Sequence, residues 1–398
     1  MLEILGIIFA VLITAFACLI IAVWFSLPKK ISLSLVGKHV FITGGSKGIG
    51  KDIAFEVVRR GAATVTIAAR NLEVLKSAAN EIKALCKNGQ NVKYYSMDAT
   101  GGYEKVKSVL DKAAEDSGPV DVLINNVGVV VQGAFDEIPI ESFETQMSMN
   151  YLSAAHATRA VIKNMKERKS GHISFVSSAA GQCAIWGYSS YSPSKFALRG
   201  FADSLHMELM PFNIGVSILY PPNTDTEGYK EELRTMPEEV MLISESAGLF
   251  SAQSVAEKLA DTIENGNFTT TVGFEGWMLG MLTVGAGPES NLLNVIAQCC
   301  LNGLFRGIML IYLGSFHRIV KAFQGAFDEI PIESFEKQMS MNYLSAAHAT
   351  RAVIKNMKER KSGHISFVSS AAGQCAIWGY SSYSPSKFAL RGFADSLH

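Results

Sequence analysis

Hydrophobic and polar positions follow three patterns along this chain. In the first, Ile4–Leu27 carries no charge, and Thr14 and Ser26 are its only polar side chains. A helix of that length rises about 36 Å, enough to cross a hydrocarbon core of about 30 Å with some tilt. Trp24 stands where an interfacial aromatic belongs, and Lys29–Lys30 follow at once. This predicts a membrane anchor over residues 1–30, with the rest of the chain on the cytosolic side. The competing reading is a cleaved signal peptide. Against it stand Glu3 in place of basic residues, the long apolar run and the lack of a small-x-small site after it.

From residue 39 the pattern alternates. His39–Thr43, Thr64–Ala69, Val92–Met97, Val120–Asn125, His172–Val176 and Val216–Tyr220 are short β-rich runs, separated by helix-length stretches such as Ile53–Arg60 and Leu72–Cys86. Mostly apolar strands alternating with helices predict a parallel sheet covered on both faces. Right-handed crossovers then make it a doubly wound α/β fold. The third pattern is an apolar stretch near the end. Trp277–Gly287 is too short to span, and Leu292–Gly314 has the length but carries Asn302 and Arg306. An intramembrane arginine costs about 2.5–3.5 kcal/mol on insertion scales. Residues 273–323 are therefore expected to rest in the membrane interface or line a lipid entrance; a buried helical subdomain competes.

The chain also repeats itself. Residues 324–398 reproduce 132–206 with one change, Thr145 becoming Lys337. Apart from this copy and the N-terminus, one large domain remains, assigned to residues 31–272. Charge is balanced, with 36 basic and 36 acidic residues, and shows no basic cluster of the kind that binds nucleic acid. The 48% of hydrophobic residues excludes disorder for the bulk of the chain. Six cysteines, one of them the copied Cys375, make no disulfide framework and favour a reducing compartment. Histidines are scattered without ligand spacing, so no metal is expected.

Candidate chemistry begins after the first strand, at Thr43-Gly44-Gly45-Ser46-Lys47-Gly48-Ile49-Gly50. Glycines let the backbone approach a pyrophosphate, whose charge then sits on a helix N-terminus. The second strand ends Ala68-Ala69-Arg70-Asn71, with no acid at its tip. An acid there would accept from a free ribose hydroxyl, whereas an arginine pairs with a 2′-phosphate. Arg70 and Lys47 thus favour NADPH over NADH. Further on, Tyr191 and Lys195 are spaced i, i+4 and share a helix face. A neighbouring ammonium would bring the phenol closer to the working pH. Ser178 lies before this pair at the end of a strand, and Asn150 in the preceding helix.

The TGxxxGxG loop and the ordered set Asn150, Ser178, Tyr191 and Lys195 resemble the short-chain dehydrogenase/reductase family and its Rossmann fold. The resemblance implies that Tyr191 donates a proton to a ketone oxygen and that Ser178 hydrogen-bonds the same oxygen. It implies that Lys195 holds the nicotinamide ribose and that Asn150 positions a water. It also assigns cofactor contacts to Gly44, Ser46, Lys47, Gly48, Ile49, Gly50, Arg70, Asp98, Asn125, Tyr191, Lys195, Pro221, Thr224 and Thr226. Val127 replaces the usual alanine of the family's NNAG, and Pro222 replaces a usual glycine, which stiffens that loop. The runs Tyr220–Tyr229, Leu242–Glu245 and Leu310–Phe316, together with the anchor, resemble the branch that reduces 3-ketosphinganine to sphinganine on the cytosolic face of the endoplasmic reticulum. Membrane lipid is then a partner, and the family's pairing through the helices of Asn150 and Tyr191 implies a homo-oligomer. A retinoid or steroid reductase is the alternative, and a non-catalytic membrane protein disabled by its tail is a third reading.

The copy repeats the set as Asn342, Ser370, Tyr383 and Lys387 but has no glycine loop of its own. It is expected to be inactive. Two outcomes compete for it: an appendage with exposed strand edges, or displacement of the first copy from the sheet. Chain order favours the first copy keeping its place.

Overall fold

In a computed structural model, the described residues are 2–26, 30–245, 247–283, 332–375 and 380–397, with single helical positions at Gly303, Gly307 and Ile311. The chain divides into two units, Met1–Lys30 with Gly287–Gln324, and Ile31–Ala286 with Gly325–His398.

In the first unit, helix α1 runs Leu2–Ser26, with Ile4, Ile7, Phe9 and Val11 exposed. Several of its side chains fall outside the described residues. Among those described, no helix is long and apolar enough to cross a membrane. Most of Leu292–Gly314 also lies outside the described residues.

The second unit is built on a parallel sheet of seven strands. In chain order it runs β1 (His39–Thr43), α2 (Gly48–Arg59), β2 (Thr64–Ala69), α3 (Leu72–Lys83), β3 (Asn91–Ser96), α4 (Tyr103–Ser117) and β4 (Val122–Asn125). There follow α5 (Glu141–Met147), a π-helical turn (Ser148–Leu152), α6 (Ser153–Arg168), β5 (Gly171–Val176), α7 (Tyr191–Leu209) and β6 (Ile214–Tyr220). Then come β7 (Thr224–Asp225), α8 (Glu227–Leu233), α9 (Glu238–Glu245), β8 (Phe250–Ser251), α10 (Ala252–Asn265), β9 (Thr269–Thr271) and α11 (Gly273–Leu282). Sheet order is β3-β2-β1-β4-β5-β6-β9, with β7 and β8 forming a separate small pair. The order reverses between β1 and β4, the switch point where such sheets open a crevice at their carboxyl ends.

Every residue of β1, β4, β5 and β6 is buried, which is why these strands read as mostly apolar runs; their polar members, such as His39, His172 and Ser217, are buried too. One core packs α2, α3 and α10 on one face through Val57, Leu75 and Leu259. The other packs α4, α6 and α7 through Leu110, Ile162 and Phe201. Strand β9 was not anticipated; three threonines carry too little pattern to announce an edge strand. Trp277 and Phe274 of α11 are exposed.

The repeated segment forms α12 (Ile332–Met339), a π-helical turn (Ser340–Leu344), α13 (Ser345–Glu359) and α14 (Tyr383–Leu397). Its counterpart of β5 joins no sheet, and Val368 is 87% exposed where Val176 is 5%. The first copy keeps its place between β4 and β6. The helices of the second pack on α7 and add Phe335, Tyr343 and Phe393 to the same core.

Candidate active site

The glycine loop joins β1 to α2 at the switch point. Gly44 and Gly48 have φ of +69° and +50°, the left-handed region that favours glycine. A Cβ on Gly50 would stand 2.4 Å from the Gly44 carbonyl oxygen and from Asn126 Nδ2, and one on Gly45 would stand 2.7 Å from Ile67 Cγ2. The loop is therefore closed against its own helix, with Ser46 and Ile49 between its glycines. Asn126 Nδ2 donates to the Gly44 carbonyl at 3.0 Å, and the Asn126 amide donates to Thr43 Oγ1 at 3.0 Å. Asn125 is buried at the end of β4, where its Nδ2 lies 3.3 Å from Thr158 Oγ1 and its Oδ1 has no protein partner. A cleft of about 400 Å³ beside the loop is lined by Ser46, Lys47, Lys51, Glu73 and Glu227, among others.

Arg70 is exposed beyond β2, with Asp98 close enough for their charges to interact. Hydrogen bonds from the Thr100 hydroxyl and amide hold the Asp98 carboxyl below its usual range, with Arg70 a smaller cause. Lys47, expected beside the same phosphate, instead makes an exposed ion pair with Glu227 at 3.1 Å. Thr226 caps α8 by accepting from the Tyr229 amide at 3.0 Å, and its methyl would lie 3.2 Å from a Cβ on Gly48. The β6–α8 loop therefore rests on the glycine loop. Thr224 is buried and bonds the Pro222 carbonyl, while the Pro221 carbonyl accepts from Ala179.

The predicted quartet comes together. Asn150 sits in the π-helical turn, a local geometry frequent at functional sites. Its Nδ2 donates to the Val129 carbonyl at 3.0 Å and to Ser194 Oγ at 2.8 Å, and its Oδ1 accepts from the Val129 amide at 2.8 Å. A Cβ on Gly128 would stand 3.2 Å from both Asn150 Oδ1 and Lys195 Nζ. Lys195 is 4% exposed and donates to the Val176 carbonyl at 3.1 Å. Its Nζ lies 5.7 Å from the centre of the Tyr191 ring. Ser178 caps the short turn after β5, accepting from the Ala180 amide at 3.2 Å, and lies near enough to the Tyr191 phenol to lower its pKa.

The electrostatics differ from the sequence expectation. Burial pushes the Tyr191 phenol above its usual value, and the Ser178 contact offsets only part of that. Burial also lowers Lys195 to about 8. The pair sits in one desolvated pocket that favours both neutral forms, so a lowered phenol pKa is not seen.

Three features escaped the sequence reading. Gln146, one turn before Asn150, makes a parallel clamp: its Oε1 accepts from Val131 N at 3.0 Å and its Nε2 donates to Ser190 Oγ at 2.6 Å. Gln146–Ser190 and Asn150–Ser194 share one offset along two helices, a pattern visible only once both helices are known. Tyr188 packs edge-on against Tyr191 with ring centres 5.3 Å apart. Burial raises Glu232 to about 7, and its carboxylate lies 3.5 Å from the Tyr188 hydroxyl. In the repeat, Tyr383 and Lys387 keep their spacing, with Nζ 5.6 Å from the ring centre, but the segment brings no glycine loop of its own.

A short chain dehydrogenase family profile matches residues 38–237 and 320–398. The 3-dehydrosphinganine reductase of Danio rerio is 45% identical over 295 residues, covering 74% of this chain and 88% of the relative. The 3-ketodihydrosphingosine reductase of Bos taurus is 44% identical with the same coverage. Among solved structures, levodione reductase superposes with a TM-score of 0.56 at 20% identity, over 62% of this chain and 98% of that one. That likeness concerns the fold alone.

Proposed function

We infer the activity from a premise the preceding geometry and comparisons supply: the chain belongs to the short-chain dehydrogenase family. It is an oxidoreductase that reduces the ketone of 3-ketosphinganine to sphinganine. The observation that carries this reading is the Asn150–Ser178–Tyr191–Lys195 cluster, with Asn150 and Lys195 buried and Ser178 and Tyr191 half-buried, beside a closed glycine loop in a chain 45% identical to a 3-dehydrosphinganine reductase.

The loop fits a nicotinamide dinucleotide, since its positive-φ glycines lead into the N-terminus of α2 at the switch point, with a cleft beside them. When bound, that cofactor supplies the hydride. Ser178 and Tyr191 present hydroxyls to the ketone oxygen, and Tyr191 delivers its proton there as negative charge develops. Lys195, still mostly protonated at neutral pH, steadies the phenolate that remains. Asn150 fixes Val129 against α7 through its bond to Ser194.

NADPH is the proposed cofactor, supported by Arg70 at the tip of β2 with no acid beside it on that strand. Residues 1–30 are proposed as an anchor in the endoplasmic reticulum membrane, with the reductase in the cytosol. The uncharged run Ile4–Leu27 and the exposed aliphatic side chains of α1 support that reading. The test is oxidation of NADPH and of NADH by the full chain with 3-ketosphinganine in detergent micelles. Turnover is expected with NADPH, and Arg70→Asp should shift preference toward NADH at least about tenfold, one charge-assisted bond. Turnover of retinoid or steroid ketones but not 3-ketosphinganine would overturn the substrate.

A further inference from the structure

The repeated segment packs on its own original in a reciprocal way. Counterparts in the two copies differ by 192 in number. Phe143 meets Phe393 with ring centres 6.1 Å apart at 88°, and Phe335, the copy of Phe143, meets Phe201, the original of Phe393, at 6.0 Å and 81°. Glu144 faces His348 at 3.6 Å, and Glu336 faces His156 at 3.4 Å. A Cβ on Gly200 would stand 2.8 Å from Phe388 Cδ2, and one on Gly392 would stand 2.8 Å from Phe196 Cδ2. In each case residue i of one copy touches j of the other, and j touches i. That is the signature of a two-fold, self-complementary contact.

We propose that residues 332–397 are a tethered stand-in for a second copy of this chain, covering a self-pairing face made by α5, α6 and α7. A second chain carries the same residues on the same helices, so the face that accepts α14 also accepts α7 of a partner. The tether decides between them, because a linked segment acts at an effective concentration on the order of millimolar. The full chain is therefore closed on this face and monomeric through it, and releasing the tail opens the face to dimerisation.

Light scattering of the full chain in detergent tests this. Wild type should give one chain per micelle. Phe388→Asp combined with Phe393→Asp removes one tail ring from α7 and one from α5 and should produce a concentration-dependent dimer. Adding Gly200→Glu to that pair, on the original face, should restore the monomer. A wild-type dimer that falls to monomer in the Phe388→Asp/Phe393→Asp variant would mean the tail docks on another chain, and would overturn the proposal. So would a folded, active double variant that stays monomeric. A second measurement does not depend on that variant folding. Cβ atoms at Gly200 and Phe388 lie 3.2 Å apart, so Gly200→Cys with Phe388→Cys should oxidise to a cross-link within one chain. A disulfide-linked dimer, or no cross-link, would overturn the proposal.

A separate observation concerns the substrate pocket, and it rests on the function proposed above. Glu232 on α8 presents its carboxylate to the Tyr188 hydroxyl at 3.5 Å, and Tyr188 packs directly on Tyr191. Around the two tyrosines the wall is apolar: Ala180, Met236, Val240, Val130 and Ile185. The substrate carries an amino group on the carbon next to its ketone. We propose that Glu232 receives that ammonium group and so fixes which ketone reaches Tyr191.

The test uses the full chain with 3-ketosphinganine and its analogue lacking the amino group. Glu232→Gln should raise KM for the amino ketone about 10- to 100-fold, the value of a charge-assisted hydrogen bond, and leave the analogue's KM unchanged. Equal loss on both substrates, or no loss on either, would overturn this role. Failure of wild type to reduce either compound would instead overturn the substrate assignment.

Discussion

Replacing Lys195 by methionine should stabilise the fold while abolishing turnover. The ammonium is 4% exposed, and burial lowers its pKa from 10.5 to about 8. That gap corresponds to a penalty of about 3 kcal/mol for folding with a charged lysine at neutral pH. Methionine removes the charge and keeps most of the volume. It also gives up the bond to the Val176 carbonyl, a loss of about 1 kcal/mol, so a net gain of about 1–2 kcal/mol is expected at pH 7. Between about pH 8 and 10.5 the unfolded chain still holds the lysine proton while the folded chain has released it. Stability therefore rises with pH across that window, and below it both states are protonated and the penalty is constant. From pH 7 to pH 9 wild type should gain about 1.3 kcal/mol relative to the variant. Urea denaturation of both proteins in one detergent at the two pH values measures this, with NADPH oxidation read in parallel. A variant less stable than wild type by about 1 kcal/mol at pH 7, or identical pH slopes, would refute the argument, because the penalty would then not reside in this ammonium.

Tyr191→Phe should lower turnover by about 10²- to 10⁴-fold, the range for a lost general acid, while Tyr383→Phe leaves it unchanged; activity lost only with Tyr383 would reverse the assignment of the two copies. Gly50→Ala places a Cβ 2.4 Å from the Gly44 carbonyl and should abolish cofactor binding, read by quenching of protein fluorescence. Asn150→Ala leaves the Val129 amide and carbonyl unpaired in a half-buried strap, costing about 1–3 kcal/mol for each group left unsatisfied. Thermal unfolding should show that loss, and a variant as stable as wild type would mean water replaces the side chain fully.

The sheet and the quartet were legible because each has a local signature. Buried parallel strands read as apolar runs, and Tyr191 and Lys195 share a helix face by spacing alone. Gln146, Tyr188 and Glu232 had none. Each acquires its role from a partner on another element: Ser190 for Gln146, Tyr191 for Tyr188, and the Tyr188 hydroxyl for Glu232. The partner of Lys47 was hidden for the same reason. Its position in the loop is a matter of sequence, but its pairing with Glu227 depends on where α8 returns. The lowered phenol failed because neighbouring charge can be read from spacing, whereas desolvation is a property of the whole pocket.

The two copies divide local from non-local causes more sharply than any mutation could. Nearly identical residues form the same helices twice, including the π-helical turn at Ser148–Leu152 and again at Ser340–Leu344. Lys169 and Lys361 both take positive φ, 49° and 54°, at the end of the same helix. Those features therefore belong to the segment itself. The strand does not. Gly171–Val176 is a strand because β4 and β6 supply its hydrogen bonds on both sides, and its copy, lacking both neighbours, stays unpaired. The site follows the strand. Val176 is placed by the sheet, and its carbonyl holds buried Lys195 at 3.1 Å; Val368 is exposed, and Lys387 reaches its carbonyl only at 3.4 Å from a partly open position. Asn342 likewise bonds Gln338 and Ser386, where Asn150 also grips the loop after β4. A helix can carry the tyrosine and lysine anywhere, but the pocket that gives them their chemistry is made by the seven-stranded sheet, and among the described residues only Tyr191 and Lys195 stand against it.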